Sequence, residues 1–188
     1  MNKVVQMLLV LTGIGVIAGG LLAMVDGWAD PLIAANKKAE TEAAIFRVQS
    51  EGKSYEALTN VGFEAYKVKN ENAEEVGYAL VYEGNGFQGK IRLICGLSED
   101  LEKILALEIL EQVETPGLGT KVTETPFLDQ FKQLETSPNI NYVKGVPPSN
   151  PNEIQAITGA TISSKAVVEI VNNGIQQMKK LRDAGGLK

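Results

Sequence analysis

The chain has no histidine and one cysteine, Cys95, in 188 residues. Without histidine there is no Ser-His or Cys-His nucleophile pair and no His-containing zinc site. One thiol cannot close a disulfide within the chain, ligate an iron–sulfur cluster or attach haem through CxxCH. Any redox chemistry must therefore rest on an organic cofactor. Positive charge is also short: 18 Lys and Arg against 23 Asp and Glu leave a net charge of −5. Such a chain is a poor nucleic-acid binder, because phosphate contacts need clustered cations. Internal repeats and low-complexity segments are absent. Cys95 sits on the apolar-alternating side of a strand pattern and reads as a buried structural thiol. The acidic residues between Ser98 and Glu114 alternate with apolar ones, as on a solvated strand face, and none are spaced for acid–base work.

What the chain does have is apolar content, 44% of residues, enough for one ordinary domain and an appendage. Val4 to Val25 is an uncharged run of about 22 residues, spanning roughly 33 Å as a helix, enough to cross a bilayer. It exceeds a signal-peptide core of about 7–15 residues, which favours a retained anchor over a cleaved leader. Lys3 and the terminal amine precede the run, and Asp26 and Asp30 follow it. The expected orientation is a cytoplasmic N-terminus and an extracytoplasmic body, with Trp28 at the outer interface. Gly15 and Gly19 form a GxxxG pattern, which either admits a partner helix or reflects the frequency of glycine in such spans.

Asp30-Pro31 predicts a helix start, with Asp as N-cap and Pro at the first helical position, leading into a helical stretch to about Val48. Strands are predicted at 63–68, 76–82, 90–97 and 104–110, the last almost wholly apolar and suited to a buried position. On the second strand, Val76, Tyr78, Leu80 and Tyr82 should share one face. Short spacing between strands predicts an antiparallel meander. A short helix is expected at 126–133 and an irregular, proline-rich crossing at 137–152. From Ser163, Val167, Ile170, Val171, Ile175, Met178 and Leu181 make an apolar stripe at helical spacing, ended by Gly185-Gly186. The fold class is α+β: an N-terminal transmembrane helix (residues 1–29), a helical connector (30–62) and an antiparallel-sheet domain with a C-terminal amphipathic helix (63–188).

Two stretches could carry chemistry. Thr158-Gly159-Ala160-Thr161-Ile162-Ser163-Ser164 places four hydroxyls beside two small residues at the start of that last helix. Free amides and the positive dipole end there suit an anion, most naturally phosphate. The plainer alternative is that Thr161 is only a helix N-cap. Glu114-Thr115-Pro116-Gly117-Leu118-Gly119-Thr120 follows the most buried strand, and its glycines would let a flat ligand approach the backbone. Alone it is equally a good turn.

Together with Gly86-Phe87-Gln88-Gly89, these two stretches resemble, in order and spacing, the FMN-binding domain shared by the G subunit of the Rnf complex and the C subunit of the sodium-translocating NADH:quinone reductase. The resemblance runs from Gly86 to about Ile175, and the chain's length fits the Rnf protein better. It implies covalent FMN, joined through its phosphate to the side-chain oxygen of Thr161 by a flavin transferase that uses FAD and Mg²⁺ and releases AMP. It also implies Thr158, Gly159 and Ala160 at the phosphate, and Glu114, Thr115, Leu118 and Gly119 at the ring, with Thr115 and Leu118 as its nearest contacts. Thr158 and Ser163 exchange one hydroxyl residue for another relative to common family members. Gln155 stands where Asp is frequent, and Gln112 or Val113 where some members have His. The acceptor hydroxyl is retained.

The implied function is a membrane-anchored electron-transfer subunit of an ion-translocating oxidoreductase, passing electrons from ferredoxin toward NAD with Na⁺ or H⁺ export and making no substrate bond of its own. Its implied partners are the other membrane and peripheral Rnf subunits, membrane lipid and the flavin transferase. The alternatives are a flavinylated carrier of another extracytoplasmic reductase, or a tethered module that holds a phosphate ligand reversibly.

Overall fold

A computed structural model describes residues 2–59 and 61–187; the terminal amine of the flanking-charge argument, on Met1, lies outside them. The chain divides into two compact units, Met1–Glu40 and Thr41–Lys188. The first is the greater part of helix α1, Lys3–Val48, which is long and apolar enough to cross a membrane by length and composition. Gly15 and Gly19 lie in it with open space around them. The helix does not restart at Asp30-Pro31 but runs through Pro31. A proline here forfeits one bond, to the Gly27 carbonyl. The Ala-, Lys- and Glu-rich sequence beyond it has the helical propensity to continue.

The second unit is built on a six-stranded antiparallel meander in the order β1-β2-β3-β4-β5-β6. The strands are β1 Ser54–Ala57, β2 Glu64–Lys69, β3 Glu75–Asn85, β4 Lys90–Leu97, β5 Lys103–Gln112 and β6 Leu134–Glu135. Both faces of the sheet are covered. Leu80, Ile91, Leu93, Cys95, Leu97 and Leu107 pack beneath helix α3, Thr161–Asp183, against Val167, Ile170, Val171, Ile175 and Met178. On the other face Ala79, Val81, Ile94 and Leu110 pack against Ala44, Ile45 and Val48 from the end of α1. Each fully buried aliphatic side chain contributes roughly 1.5–3 kcal/mol. Two-sided burial explains why Ile94 is apolar although it alternates out of the Ile91–Leu97 set.

Val76 departs from the predicted alternation. Val68 pairs with Gly77 and Lys69 with Glu75, so Val76 is the extra residue of a β-bulge and packs with the α1-side cluster. Gly77 adopts φ 139°, and a Cβ there would lie 2.1 Å from the Leu97 carbonyl oxygen. The expected 126–133 helix is split into α2, Thr125–Leu128, and a 3₁₀ turn at Asp129–Phe131, preceded by another at Gly119–Thr123. The crossing expected to be irregular contains β7 Asn141–Lys144, which pairs in parallel with β8 Glu153–Ala156. These four-residue strands are flanked by prolines and have too little alternation to show in sequence.

Candidate functional site

β8 delivers the chain into a tight turn, Ile157–Ala160, from which α3 starts. Gly159 takes φ 86°, a conformation other L residues rarely adopt. The Ala160 amide donates to the Ile157 carbonyl at 3.0 Å. Ser164, wholly buried, locks the turn: its Oγ accepts from the Ile157 amide and donates to the Ala160 carbonyl, each at 3.0 Å. Ser163, also buried, donates to Glu114 Oε2 at 2.5 Å. The N-cap position is Ala160, which makes no side-chain capping bond. Thr161 is thus the first helical residue rather than the cap, and the positive end of α3 is left for another group.

The four hydroxyls have separate fates. Ser163 and Ser164 are spent inside the fold. The turn at Gly159 sends Thr158 into a neighbouring cleft with Lys121, Glu124, Gln130 and Gln155. Thr161 enters none of these bonds and lines the cavity at the helix end.

That cavity, about 280 Å³, is lined by Phe87, Thr115, Leu118, Gly119 and residues 159–163, with no charged side chain. Phe87, Leu118 and Ile162 are 61%, 48% and 58% exposed, so an apolar rim surrounds the uncapped helix end. The donor set suits a ligand with an anionic group at the helix and a flat apolar body against the rim. FMN has both, and the residues present fit it. Thr115 Oγ1 donates to Gln88 Oε1 at 3.1 Å, joining the two loops that form one wall.

Glu114 lies behind this wall, 3% exposed, and does not line the cavity. Its Oε1 accepts from the amides of Phe87 at 2.8 Å and Gln88 at 3.1 Å, and Oε2 accepts from Ser163. Two glycines make room for it. A Cβ on Gly86 would fall 2.2 Å from Glu114 Oε1, and one on Gly119 would fall 2.8 Å from both its Cβ and Oε2. Gln112 Oε1 accepts the Glu114 amide at 2.6 Å, giving that side chain a structural task.

Of the sequence-predicted residues, Thr115, Leu118, Gly119, Gly159, Ala160 and Thr161 therefore meet at one cavity, Glu114 supports it, and Thr158 faces elsewhere. Sequence reasoning missed Phe87 and Ile162 as rim residues and Ser163 as the tie to Glu114. The available signal was a large apolar residue set among small and polar neighbours, in the Gly86–Gly89 turn and in the first turn of α3. Cys95 is buried, and burial pushes its thiol well above the ordinary range, so it is inert. Among the described residues no cluster of metal-ligating side chains occurs.

Residues 86–176 match the FMN-binding domain family. The chain is 40% identical over 111 residues to the G subunit of the Na(+)-translocating ferredoxin:NAD(+) oxidoreductase complex of Acetobacterium woodii, covering 58% of this chain and 53% of that one. It is 34% identical over 110 residues to the G subunit of the ion-translocating oxidoreductase complex of Methanosarcina acetivorans, covering 58% and 55%. It spans about half the length of these curated relatives. Among solved structures, Shewanella oneidensis NqrC superposes with a TM-score of 0.58 at 22% identity, covering 64% of this chain and 61% of that one. The C subunit of the Na(+)-translocating NADH-quinone reductase of Parabacteroides distasonis gives 0.52 at 24%, covering 63% and 61%. The fold is shared with both.

Proposed function

We propose that this chain, whose residues 86–176 match the FMN-binding domain family, is a membrane-anchored electron-carrying subunit of an Rnf-type complex, with FMN attached covalently to Thr161. FMN would supply reversible uptake and release of electrons; the chain supplies attachment, orientation and shielding. The observation that carries the reading is the uncapped α3 N-terminus with Thr161 facing an apolar-rimmed cavity while Ser163 and Ser164 are consumed in the fold.

In attachment, Thr161 Oγ1 loses its proton and bonds to the FMN-side phosphorus of FAD, the pyrophosphate bond breaks, and AMP leaves. A flavin transferase with Mg²⁺ performs this exchange. The phosphodiester keeps one negative charge, which the α3 dipole stabilises by roughly 0.3–1 kcal/mol if exposed. Thr115 and Leu118 would hold the ring, with Phe87 and Ile162 limiting water around it. Gly159 and Ala160 let the phosphate approach the backbone. A covalent bond prevents cofactor loss on the extracytoplasmic side, where the domain sits if the apolar segment within residues 1–29 spans the membrane with its N-terminus in the cytoplasm. The chain forms no substrate bond; coupling to Na⁺ or H⁺ export belongs to the assembled complex.

Co-expression with a flavin transferase, followed by denaturing electrophoresis under ultraviolet light, tests the attachment. A fluorescent band at the chain's mass is expected, and a dark band contradicts it. Recovery from native membranes together with several multi-span subunits is expected for the complex. Recovery as a flavinylated monomer would favour a carrier for another reductase.

A further inference from the structure

Glu114 is a buried carboxylate that reaches two separate parts of the cavity's frame, the Phe87-Gln88 turn and α3, without entering the cavity. Both its oxygens act as acceptors, from two amides and one hydroxyl, the pattern of an ionised carboxylate. Ser163, one of those donors, lies two residues beyond Thr161. Two residues of α-helix correspond to about 200° of rotation. Tying Ser163 to Glu114 therefore fixes the rotation of the first turn of α3, and with it the direction of Thr161, which lines the cavity. The same carboxylate holds the Phe87-Gln88 turn that forms the facing rim, and Gly86 and Gly119 are kept bare to admit it.

We propose that Glu114 is a positioning residue that presents Thr161 for flavin attachment, and that its fixed negative charge behind the site lowers the reduction potential of the bound flavin. The inference rests on the function proposed above. Its geometric and electrostatic parts separate in Glu114→Gln. The glutamine carbonyl still accepts from Phe87 and Gln88, and its amide donates to a Ser163 hydroxyl that has only to rotate. The frame survives while the charge is lost.

The test follows FMN incorporation into purified full-length protein over time, with FAD, Mg²⁺ and flavin transferase, and then measures the midpoint potential of labelled samples. Glu114→Ala is expected to slow incorporation at least tenfold, and Glu114→Gln to stay within about threefold of the parent protein. The labelled Glu114→Gln protein should be easier to reduce by about tenfold in equilibrium constant, or roughly 30 mV for a two-electron couple. Ser163→Ala leaves the charge and cuts only the tie to α3; it should slow incorporation severalfold and serves if Glu114→Ala does not fold. Incorporation at the parent rate in folded Glu114→Ala or in Ser163→Ala overturns the positioning role. An unchanged potential in Glu114→Gln overturns the electrostatic one. These results with a normally labelled parent leave the functional reading standing, whereas a parent protein that takes no flavin overturns both.

Discussion

Two clefts of nearly equal size flank the turn between β8 and α3, about 280 and 290 Å³, and they are built for different purposes. The Thr161 cleft has no charged lining residue, three exposed apolar side chains and an uncapped helix end. The Thr158 cleft is lined by Lys121, Glu124 and two glutamines. There Gln130 already bonds the backbone of Gln155, accepting its amide at 2.7 Å and donating to its carbonyl at 3.2 Å. In the second cleft the protein thus bonds its own glutamine, whereas at the first the end of α3 carries no side-chain cap. Each side also has a carboxylate brace. Glu114 is buried behind the first cleft. Glu153, at the surface, organises the turn leading into β8 through the amides of Ser149 and Asn150. A motif that looks like one row of four hydroxyls is thus divided by a single turn at Gly159 into one position that lines the apolar-rimmed cavity and three structural or peripheral ones.

The comparison is broken most severely at Thr161. Thr161→Val keeps the β-branched shape and removes the oxygen; covalent flavin should be lost completely, read as absence of in-gel fluorescence with an unchanged far-UV circular dichroism spectrum. Next in size is Gly119→Ala, whose new methyl would sit 2.8 Å from Glu114 and 3.0 Å from Ser163 Oγ. Such overpacking should cost about 1–3 kcal/mol in urea unfolding and impair labelling through the displaced brace. Thr158→Val, in the other cleft, should leave labelling unchanged; loss of fluorescence there would erase the distinction between the two sides.

The smallest effect concerns the Glu153 brace. Hydrogen bonding, first from the Asn150 side chain and then from the Ser149 amide, holds the Glu153 carboxyl below its ordinary value of 4.5. A folded-state value below the unfolded one favours the native state above the unfolded value. That contribution disappears as pH falls through the depressed one. Glu153→Gln should therefore flatten the acid end of a plot of melting temperature against pH, while leaving flavin content near neutral pH unaltered.

Much of this arrangement could be read from sequence. β4 runs from Lys90 to Leu97 as its alternation indicates, and α3 buries the stripe from Val167 to Met178. Four hydroxyls near the start of a helix were legible from the residues, but only the family resemblance singles out Thr161 among them. Features that depend on tertiary contact were hidden. The bulge that moves Val76 to the opposite face arises from pairing with β2. The course of α1 through Pro31 breaks a local rule at the expense of one hydrogen bond. The brace role of Glu114 depends on Ser163, 49 positions later. No spacing rule joins two such residues. Thr158 was grouped with Thr161 because sequence gives proximity along the chain but not the direction imposed by a positive φ at Gly159.

The central claim is that one hydroxyl, at the uncapped end of α3, holds the flavin. Peptide mapping by mass spectrometry, on full-length protein produced with a flavin transferase, tests it most directly. The account predicts an FMN phosphodiester, one water lighter than free FMN plus peptide, confined to the peptide containing Thr161 and with fragment ions placing it on that residue. An FMN adduct on Thr158, Ser163 or Ser164, or an unmodified Thr161 in protein that retains bound flavin, would contradict it.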